Sequence, residues 1–207
     1  NVVNFTQSAD TTVSFANTGT SNLVTFIRTK SNSFSSGGVE FDGTGDYLKT
    51  TTASSDFSMG TGDFTIEMWV KYNSVANDGL FQISTTSGGL DTSIQLALNV
   101  SAGDGGKYNV YFKSSQNGSY APGTCNNKVV NTGQWYHIAM TRSGTTSRLY
   151  VDGVCQVFGG DCTNDTAVWN DSTDYNGTYI CLGGYYDTDF LLDGTISNFR
   201  IIKGTAL

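Results

Sequence analysis

The most constraining feature of the sequence is a series of short segments in which apolar and polar residues alternate. Each segment is rich in β-branched and aromatic residues and is bounded by residues that favour turns, in a chain with 25 glycines and one proline. Ten short strands at this spacing predict an all-β sandwich or barrel with little or no helix. The segments are VTFIRT (24–29), VEFDG (39–43), FTIEMWVKY (64–72), GLFQIST (79–85), SIQLALNV (93–100), KYNVYFK (107–113), QWYHIAMTR (134–142), RLYVDG (148–153), YICLGGYY (179–186) and TISNFRII (195–202).

The period-two pattern is clearest in segment 64–72, which predicts a strand with one core face and one wetter face. The core face carries Phe64, Ile66, Met68 and Val70, and the wetter face carries Thr65, Glu67, Trp69 and Lys71. A ligand is expected to lie on the second kind of face. Trp69 and Trp135 are nevertheless assigned to the packed sandwich.

The stretch GQWYHIAMTRSGTTSRLYVDGV (133–154) predicts a β-hairpin. Residues 143–147 form its turn, and Asp152-Gly153 supplies a positive-φ turn into the next strand. The predicted core side consists of Ile138, Met140, Leu149 and Val151.

Charge and hydropathy exclude two classes of partner. The net charge is −7 with 11 lysines and arginines scattered along the chain, whereas phosphate binding needs clustered cations. No apolar run approaches the roughly 18–20 residues that span a bilayer. We therefore expect no nucleic-acid partner and no membrane insertion.

All four cysteines lie in the C-terminal half, and they allow three disulfide pairings: Cys125, Cys155, Cys162 and Cys181. Their spacing lacks the paired Cys-x-x-Cys pattern of a zinc site. Disulfides are the preferred interpretation and predict an oxidising, extracellular location, with reduced buried thiols as the alternative.

Six Asn-x-Ser/Thr triplets are candidate N-glycosylation sites. A chain this rich in asparagine, serine and threonine contains nearly as many by chance, so the triplets alone do not establish glycosylation. They begin at Asn4, Asn99, Asn117, Asn164, Asn170 and Asn176.

Five phrases follow one another in an order that resembles the laminin G-like jelly rolls of the concanavalin A-like lectin and glucanase superfamily. They are VEFDGTGDYL (39–48), GTGDFTIEMWVK (60–71), GQWYHIAMTRSGTTSRLYVDGV (133–154), ICLGGYY (180–186) and FLLDGTISNFRIIKGTAL (190–207). The resemblance covers residues 24–207 and implies an antiparallel β-sandwich of two sheets that binds ligands on a concave face or at rim loops. Residues 1–23 are interpreted as one or two N-terminal edge strands or an arm, able to pair with another subunit.

The sequence is most similar to modules of marine phage virion proteins and of large bacterial surface proteins. This resemblance implies a non-catalytic structural or adhesion module on a virion, as a capsid decoration or tail fibre, or on a cell-surface appendage. The location is then extracellular or on the virion surface. The partners are glycans or other subunits of the assembly.

An enzymatic function is not expected. Glucanases of the superfamily carry an E-x-D-x-x-E pattern that supplies two carboxylates for glycoside hydrolysis, and the chain lacks it. The nearest carboxylates are Glu40, Asp42 and Glu67. The single histidine, His137, lies in a phrase resembling the family's W-x-H-[VI]-A scaffold and shows no nucleophile partner in sequence.

The resemblance also implies a candidate calcium site, because many members of the superfamily bind Ca²⁺ through loop oxygens. Asp42 and Asp46 in the acidic turn are its candidate ligands, facing Ser197 and Asn198 on the last strand. Relatives often carry Asp-Asp where this chain has Ser-Asn, which weakens the case for calcium.

Glycan binding is the remaining functional hypothesis. Sugars stack on exposed aromatic rings, and two long segments, 114–132 and 159–177, offer such rings. The alternatives are a purely structural self-assembling subunit and, less favoured, a glycoside hydrolase. The candidate ligand-binding residues are Trp169, Tyr175, Tyr185, Tyr186 and Tyr120.

Overall fold

The computed structural model describes residues 38–76, 78–87, 94–98, 130–155, 174–184 and 190–207 in full, and the backbone of the other strand residues. These parts form seventeen strands and one short 3₁₀ turn, Ser55–Phe57. The strands are β1 (Val3–Gln7), β2 (Thr12–Asn17), β3 (Val24–Arg28), β4 (Phe34–Ser35), β5 (Gly38–Asp42), β6 (Leu48–Thr50), β7 (Phe64–Tyr72), β8 (Asp78–Ser84), β9 (Thr92–Asn99), β10 (Lys107–Phe112), β11 (Ala121–Thr124), β12 (Trp135–Ser143), β13 (Thr146–Val151), β14 (Val154–Gln156), β15 (Trp169–Asn170), β16 (Tyr179–Leu182) and β17 (Asp193–Lys203).

The strands form two antiparallel sheets, which confirms the predicted β-sandwich. The nine-stranded sheet has the order β1-β2-β3-β6-β16-β8-β9-β10-β11. The eight-stranded sheet has the order β14-β13-β12-β7-β17-β5-β4, with β15 also paired to β13. Strand β7 therefore lies in the middle of its sheet, between β12 and β17.

Strand β7 shows how the alternating sequence builds the core. Its observed bounds are the predicted 64–72, and its inward side chains join the buried apolar cluster between the sheets. The sheets meet directly where Phe199 of β17 packs on Phe81 of β8, with ring centroids 5.8 Å apart. Beside this contact, a Cβ at Gly183 would lie 2.3 Å from the Phe41 ring, so only glycine fits there.

The predicted hairpin is present in strands β12 and β13. Ser143 pairs with Thr146 around a tight turn in which Gly144 has a φ of +59°. The next turn holds Asp152 and Gly153 at φ values of +51° and +76°, as the sequence predicts. The four predicted core residues are all buried: Ile138, Met140, Leu149 and Val151.

The N-terminal segment contributes strands β1 and β2, which extend the nine-stranded sheet outward from β3. Strand β1 is the outermost strand on that side, so the pairing of this edge with another subunit stays a prediction. Within the described residues, no helix has the length and apolar character needed to cross a bilayer.

Candidate functional site

Two tryptophan rings lie in solvent on the outer face of the eight-stranded sheet. Trp69 is 42% exposed and Trp135 is 40% exposed, which corrects their assignment to the packed sandwich. Trp69 lies opposite His137 and Trp135 lies opposite Lys71 in the register of β7 and β12. The two indoles are therefore diagonal neighbours on adjacent strands, about 7–8 Å apart at their backbones.

A largely buried glutamate lies beside these rings. Glu67 Oε2 is 3.2 Å from His137 Nε2, and the Nε–H of Arg200 donates to Glu67 Oε1. The Glu67 side chain is 11% exposed, whereas those of His137 and Arg200 are 27% and 44% exposed. Glu67 thus anchors two solvent-facing planar groups from the strands on either side of it.

Aromatic and cationic groups on this face also contact one another. The Trp69 indole and the His137 imidazole have centroids 5.2 Å apart. The Nζ of Lys71 lies 5.5 Å from the Trp135 ring centroid, a cation–π distance. We call the surface formed by Glu67, Trp69, Lys71, Trp135, His137 and Arg200 the tryptophan face.

A β-bulge in β17 positions Arg200 on the tryptophan face. The pairing with β7 shifts between Ser197 and Arg200, and Asn198 within the shift has a φ of +51°. Asparagine tolerates this left-handed conformation better than most residues. The extra residue leaves Phe199 buried and Arg200 pointing outward beside Glu67.

The outer face of the nine-stranded sheet differs from the tryptophan face. Cys181 and Gln95 flank Gln82 on adjacent strands there. Cys181, Gln82 and Gln95 are 7%, 1% and 6% exposed. At these positions the second outer face offers no open surface for a ligand.

The aromatic residues predicted to bind glycans are placed unevenly. Tyr175 is buried, with its ring edge-on to Phe64 and the Arg142 guanidinium 5.4 Å from its centroid. This corrects its expected role, because neither face of the ring is open to a sugar. Trp169 lies in β15, and its backbone pairs with Ser147 of β13. Its side chain and residues Tyr120, Tyr185 and Tyr186 lie outside the described parts.

The predicted calcium ligands are not brought together. Asp42 on β5 pairs with Asp193 on β17, and Gly38 at the other end of β5 pairs with Ser197. Asn198 therefore lies about 16 Å along β17 from Asp193, the residue opposite Asp42. Asp42 Oδ1 accepts a hydrogen bond from the Thr44 N–H, and Asp46 Oδ2 accepts one from the Asp42 N–H. Both carboxylates shape the turn, and the set of Asp42, Asp46 and Asn198 does not fit one ion.

No group of three or more histidine, cysteine, aspartate or glutamate side chains suited to a metal occurs in the described parts of the chain.

Cys155 and Cys181 lie in different sheets, and no disulfide joins these two described cysteines. Cys125 and Cys162 fall outside the described residues, so a disulfide involving them stays a prediction.

Of the candidate glycosylation sites, the side chain of Asn176 is described, and this residue is exposed. Asn4, Asn99 and Asn170 lie in strands of which the structure describes the backbone, and Asn117 and Asn164 lie outside the described residues. Glycosylation at the six sites stays a prediction.

The two glutamates of the eight-stranded sheet are far apart. Thr195 pairs with both Glu40 and Lys71, which places Glu40 level with Lys71 and two strands away from β7. Glu67 lies four residues further along β7, so the two glutamates are separated by about 16 Å. Glycoside hydrolysis needs two carboxyl groups about 5–9.5 Å apart.

Asp78 is a buried acid at the start of β8. Burial raises the pKa of its carboxyl group to about 6, with a smaller upward contribution from the Asp193 charge. The N–H groups of Ala76 and Asp193 donate to it and partly oppose this rise in pKa. Asp78 therefore keeps its proton to a higher pH than an aspartate in water.

The fold is shared with several solved proteins. A heptameric SAP-like pentraxin from Limulus polyphemus is 17% identical, with a TM-score of 0.58 over 82% of this chain and 76% of that one. Domain 4 of an extracellular arabinanase from Geobacillus stearothermophilus, solved with arabinotriose, is 15% identical, with a TM-score of 0.53 over 88% and 77% of the two chains. A Trypanosoma rangeli sialidase, solved with sialic acid, is 12% identical, with a TM-score of 0.66 over all of this chain and 30% of that one.

At these identities the likeness is one of fold, and this chain corresponds to less than a third of the sialidase. Among curated proteins, none matches the sequence significantly. The sequence profile of the concanavalin A-like lectin/glucanases superfamily matches residues 42–206, which is most of the chain. The fold is that of a carbohydrate-binding type of module, a fold that glycosidases also contain. The chain belongs to the concanavalin A-like lectin/glucanase superfamily.

Proposed function

We propose that this chain is a non-catalytic carbohydrate-binding module displayed on a virion or a cell-surface appendage. The observation that carries the proposal is the tryptophan face, on which two exposed indoles lie beside three polar side chains held in fixed positions. Neighbouring exposed aromatic rings that are rimmed by polar side chains are typical of a ligand-binding surface.

The chemistry of the face suits a sugar. The apolar face of a pyranose ring stacks on an indole, and the hydroxyl groups need donors and acceptors around the ring. His137 and Arg200 supply donors near Trp69, and Lys71 supplies one at Trp135. The similar arabinanase domain was solved in complex with a trisaccharide, which supports a saccharide ligand for this fold.

The absence of catalysis is part of the proposal. The separation of Glu40 and Glu67 supports it, because these two glutamates lie further apart than the two carboxyl groups that carry out glycoside hydrolysis. The extracellular or virion location is supported by the five phrases that resemble phage and bacterial surface modules. Hydrolysis of a glycan by the purified chain would contradict this part of the proposal.

A glycan array tests the binding function. The wild-type chain is expected to bind a subset of glycans both with calcium and with chelator. Trp69→Ala and Trp135→Ala are each expected to weaken binding at least tenfold by removing a stacking surface. Phe190→Gly is the matched control, because it removes another exposed aromatic ring at a position whose φ of +55° suits glycine.

Two results would contradict the function. Binding that persists in both tryptophan variants would place the ligand elsewhere on the molecule. No binding by the wild-type chain under either condition, together with self-assembly into filaments or shells, would favour a structural subunit without a glycan ligand.

A further inference from the structure

We infer that the ligand of the tryptophan face is an acidic polysaccharide with a carboxylate on each of two neighbouring sugar units. This inference rests on the proposed function and adds the class of sugar. It depends on the charge of the face, on the N–H groups of Arg200 and Lys71 that have no acceptor among the described residues, and on the positions of these two residues beside the indoles.

The charge of this face is opposite in sign to that of the whole chain. The tryptophan face carries two cations and one carboxylate, and the other outward charges of the sheet lie on β13 and toward the β5 edge. The chain as a whole has a net charge of −7. An excess of cations on one face of an acidic protein favours an anionic ligand. The charged residues of the face are Lys71 and Arg200 against Glu67, and the other outward charges are Arg148, Glu40, Asp42 and Asp193.

Two of these cations have N–H groups that no described protein atom accepts. In the described part of the chain, the Nε–H of Arg200 pairs with Glu67, and the terminal Nη1 and Nη2 groups have no protein acceptor. The Nζ of Lys71 lies over the Trp135 ring and makes no ion pair with a described carboxylate. Glu67 holds the Arg200 guanidinium in a fixed orientation, which leaves its outer edge for a ligand.

The chemistry of these two groups points to a carboxylate. The planar guanidinium edge binds a planar carboxylate through two parallel N–H···O bonds. Each indole has a cation on a neighbouring strand: Arg200 pairs with Glu67, two residues from Trp69 on β7, and Lys71 is directly opposite Trp135. Two stacking surfaces, each with its own cation, match two successive sugars that each carry an exocyclic carboxylate.

The test compares two polymers that differ in the carboxyl group. Calorimetric titration of the purified chain with oligogalacturonate is expected to show binding that weakens as sodium chloride is added. The fully methyl-esterified oligomer, with the same rings and no charge, is expected to bind at least tenfold more weakly. Dextran sulfate is the third probe, and it is expected to bind more weakly than oligogalacturonate.

Three variants assign the contacts. Arg200→Gln and Lys71→Gln are each expected to weaken oligogalacturonate binding about tenfold, and Arg200→Lys to restore part of the loss, since it keeps the charge without the fork. Lys203→Gln, on the same strand but bonded to Ser55, is the matched control for charge. Lys71 has no bond to Glu67, so its variant tests the inference even if Arg200→Gln perturbs the fold.

The outcomes separate this inference from the proposed function. Equal binding of the acid and ester oligomers, with loss in Trp69→Ala, would keep the glycan-binding function and overturn the acidic class. Equal or tighter binding of dextran sulfate would overturn the carboxylate assignment. No binding of any saccharide would overturn both proposals.

Discussion

Glu67 and Asp78 are both buried carboxylic acids, but their neighbours differ. Glu67 contacts the guanidinium of Arg200 and the imidazole of His137. Asp78 receives two backbone N–H groups, has the carboxylate of Asp193 as a charged neighbour and is 1% exposed. Asp78 is therefore protonated more readily than an aspartate in water.

The raised pKa of Asp78 predicts a pH-dependent stability. Because this pKa is about 6 in the folded protein and 3.8 ordinarily, the stabilising contribution of the neutral acid is present below pH 3.8 and is lost as the pH rises through 6. Asp78→Asn, which stays neutral, should gain stability relative to wild type between pH 4 and pH 7, by up to about 3 kcal/mol. Denaturant unfolding at several pH values measures the difference.

The control for this prediction is Asp174→Asn, a substitution with the same chemistry on an exposed side chain. Parallel pH profiles for wild type and Asp78→Asn would contradict the prediction, because they would mean that the Asp78 carboxyl group titrates alike in the folded and unfolded chains.

The bulge in β17 is the element that organises the tryptophan face. It lets Ile196, Phe199 and Ile201 all point into the core while Arg200 faces outward. Without the extra residue, the alternation of β17 would bury the arginine or expose the phenylalanine. The bulge therefore links the packing of the sandwich to the position of a binding group.

Substitutions at Asn198 test the bulge. Asn198→Gly should leave the free energy of unfolding nearly unchanged, because glycine adopts the observed φ of +51° without strain. Asn198→Val should lower it by about 1–2 kcal/mol, because a β-branched residue is strained in this conformation. Urea unfolding measures both effects.

The matched control is Asn176→Val, since Asn176 is also exposed but is not in the left-handed region. An equal loss of stability in both valine variants would mean that the backbone conformation of Asn198 is not what makes the residue important.

Most strands could be predicted from the sequence, because their alternation is a local property. Strand β7 has the predicted bounds, and the hairpin of β12 and β13 has the predicted core side. The sequence does not predict strands β11 and β15, since Pro122 and the short Trp169–Asn170 pair give no strand pattern and fall in the long segments 114–132 and 159–177. Their pairing depends on partners distant in sequence.

The candidate site could be predicted only in part. Alternation placed Trp69 on the same face as Glu67 and Lys71, and this face is the exposed one. The same alternation places Gln82 on the outer face of the other sheet, where it is 1% exposed. A period of two reports which side chains share a face, but it does not report whether other parts of the chain cover that face.

At the scale of the whole molecule, the register between β5 and β17 separates the predicted calcium ligands. It places Asp42 level with Asp193, and Asn198 lies further along β17, away from both aspartates. We therefore expect no calcium dependence of stability: the thermal midpoint should be the same with excess calcium and with chelator, by scanning calorimetry. A rise of several degrees with calcium would show that an ion binds the folded chain through other residues.

The position of β17 between β7 and β5 has a consequence for biosynthesis. The ribosome completes β5 and β7 more than a hundred residues before it reaches β17, and until then each of these strands lacks a neighbour on one side. The eight-stranded sheet closes when the last strand enters its middle. The tryptophan face, which takes Arg200 from that strand, therefore forms after translation of the domain rather than during it.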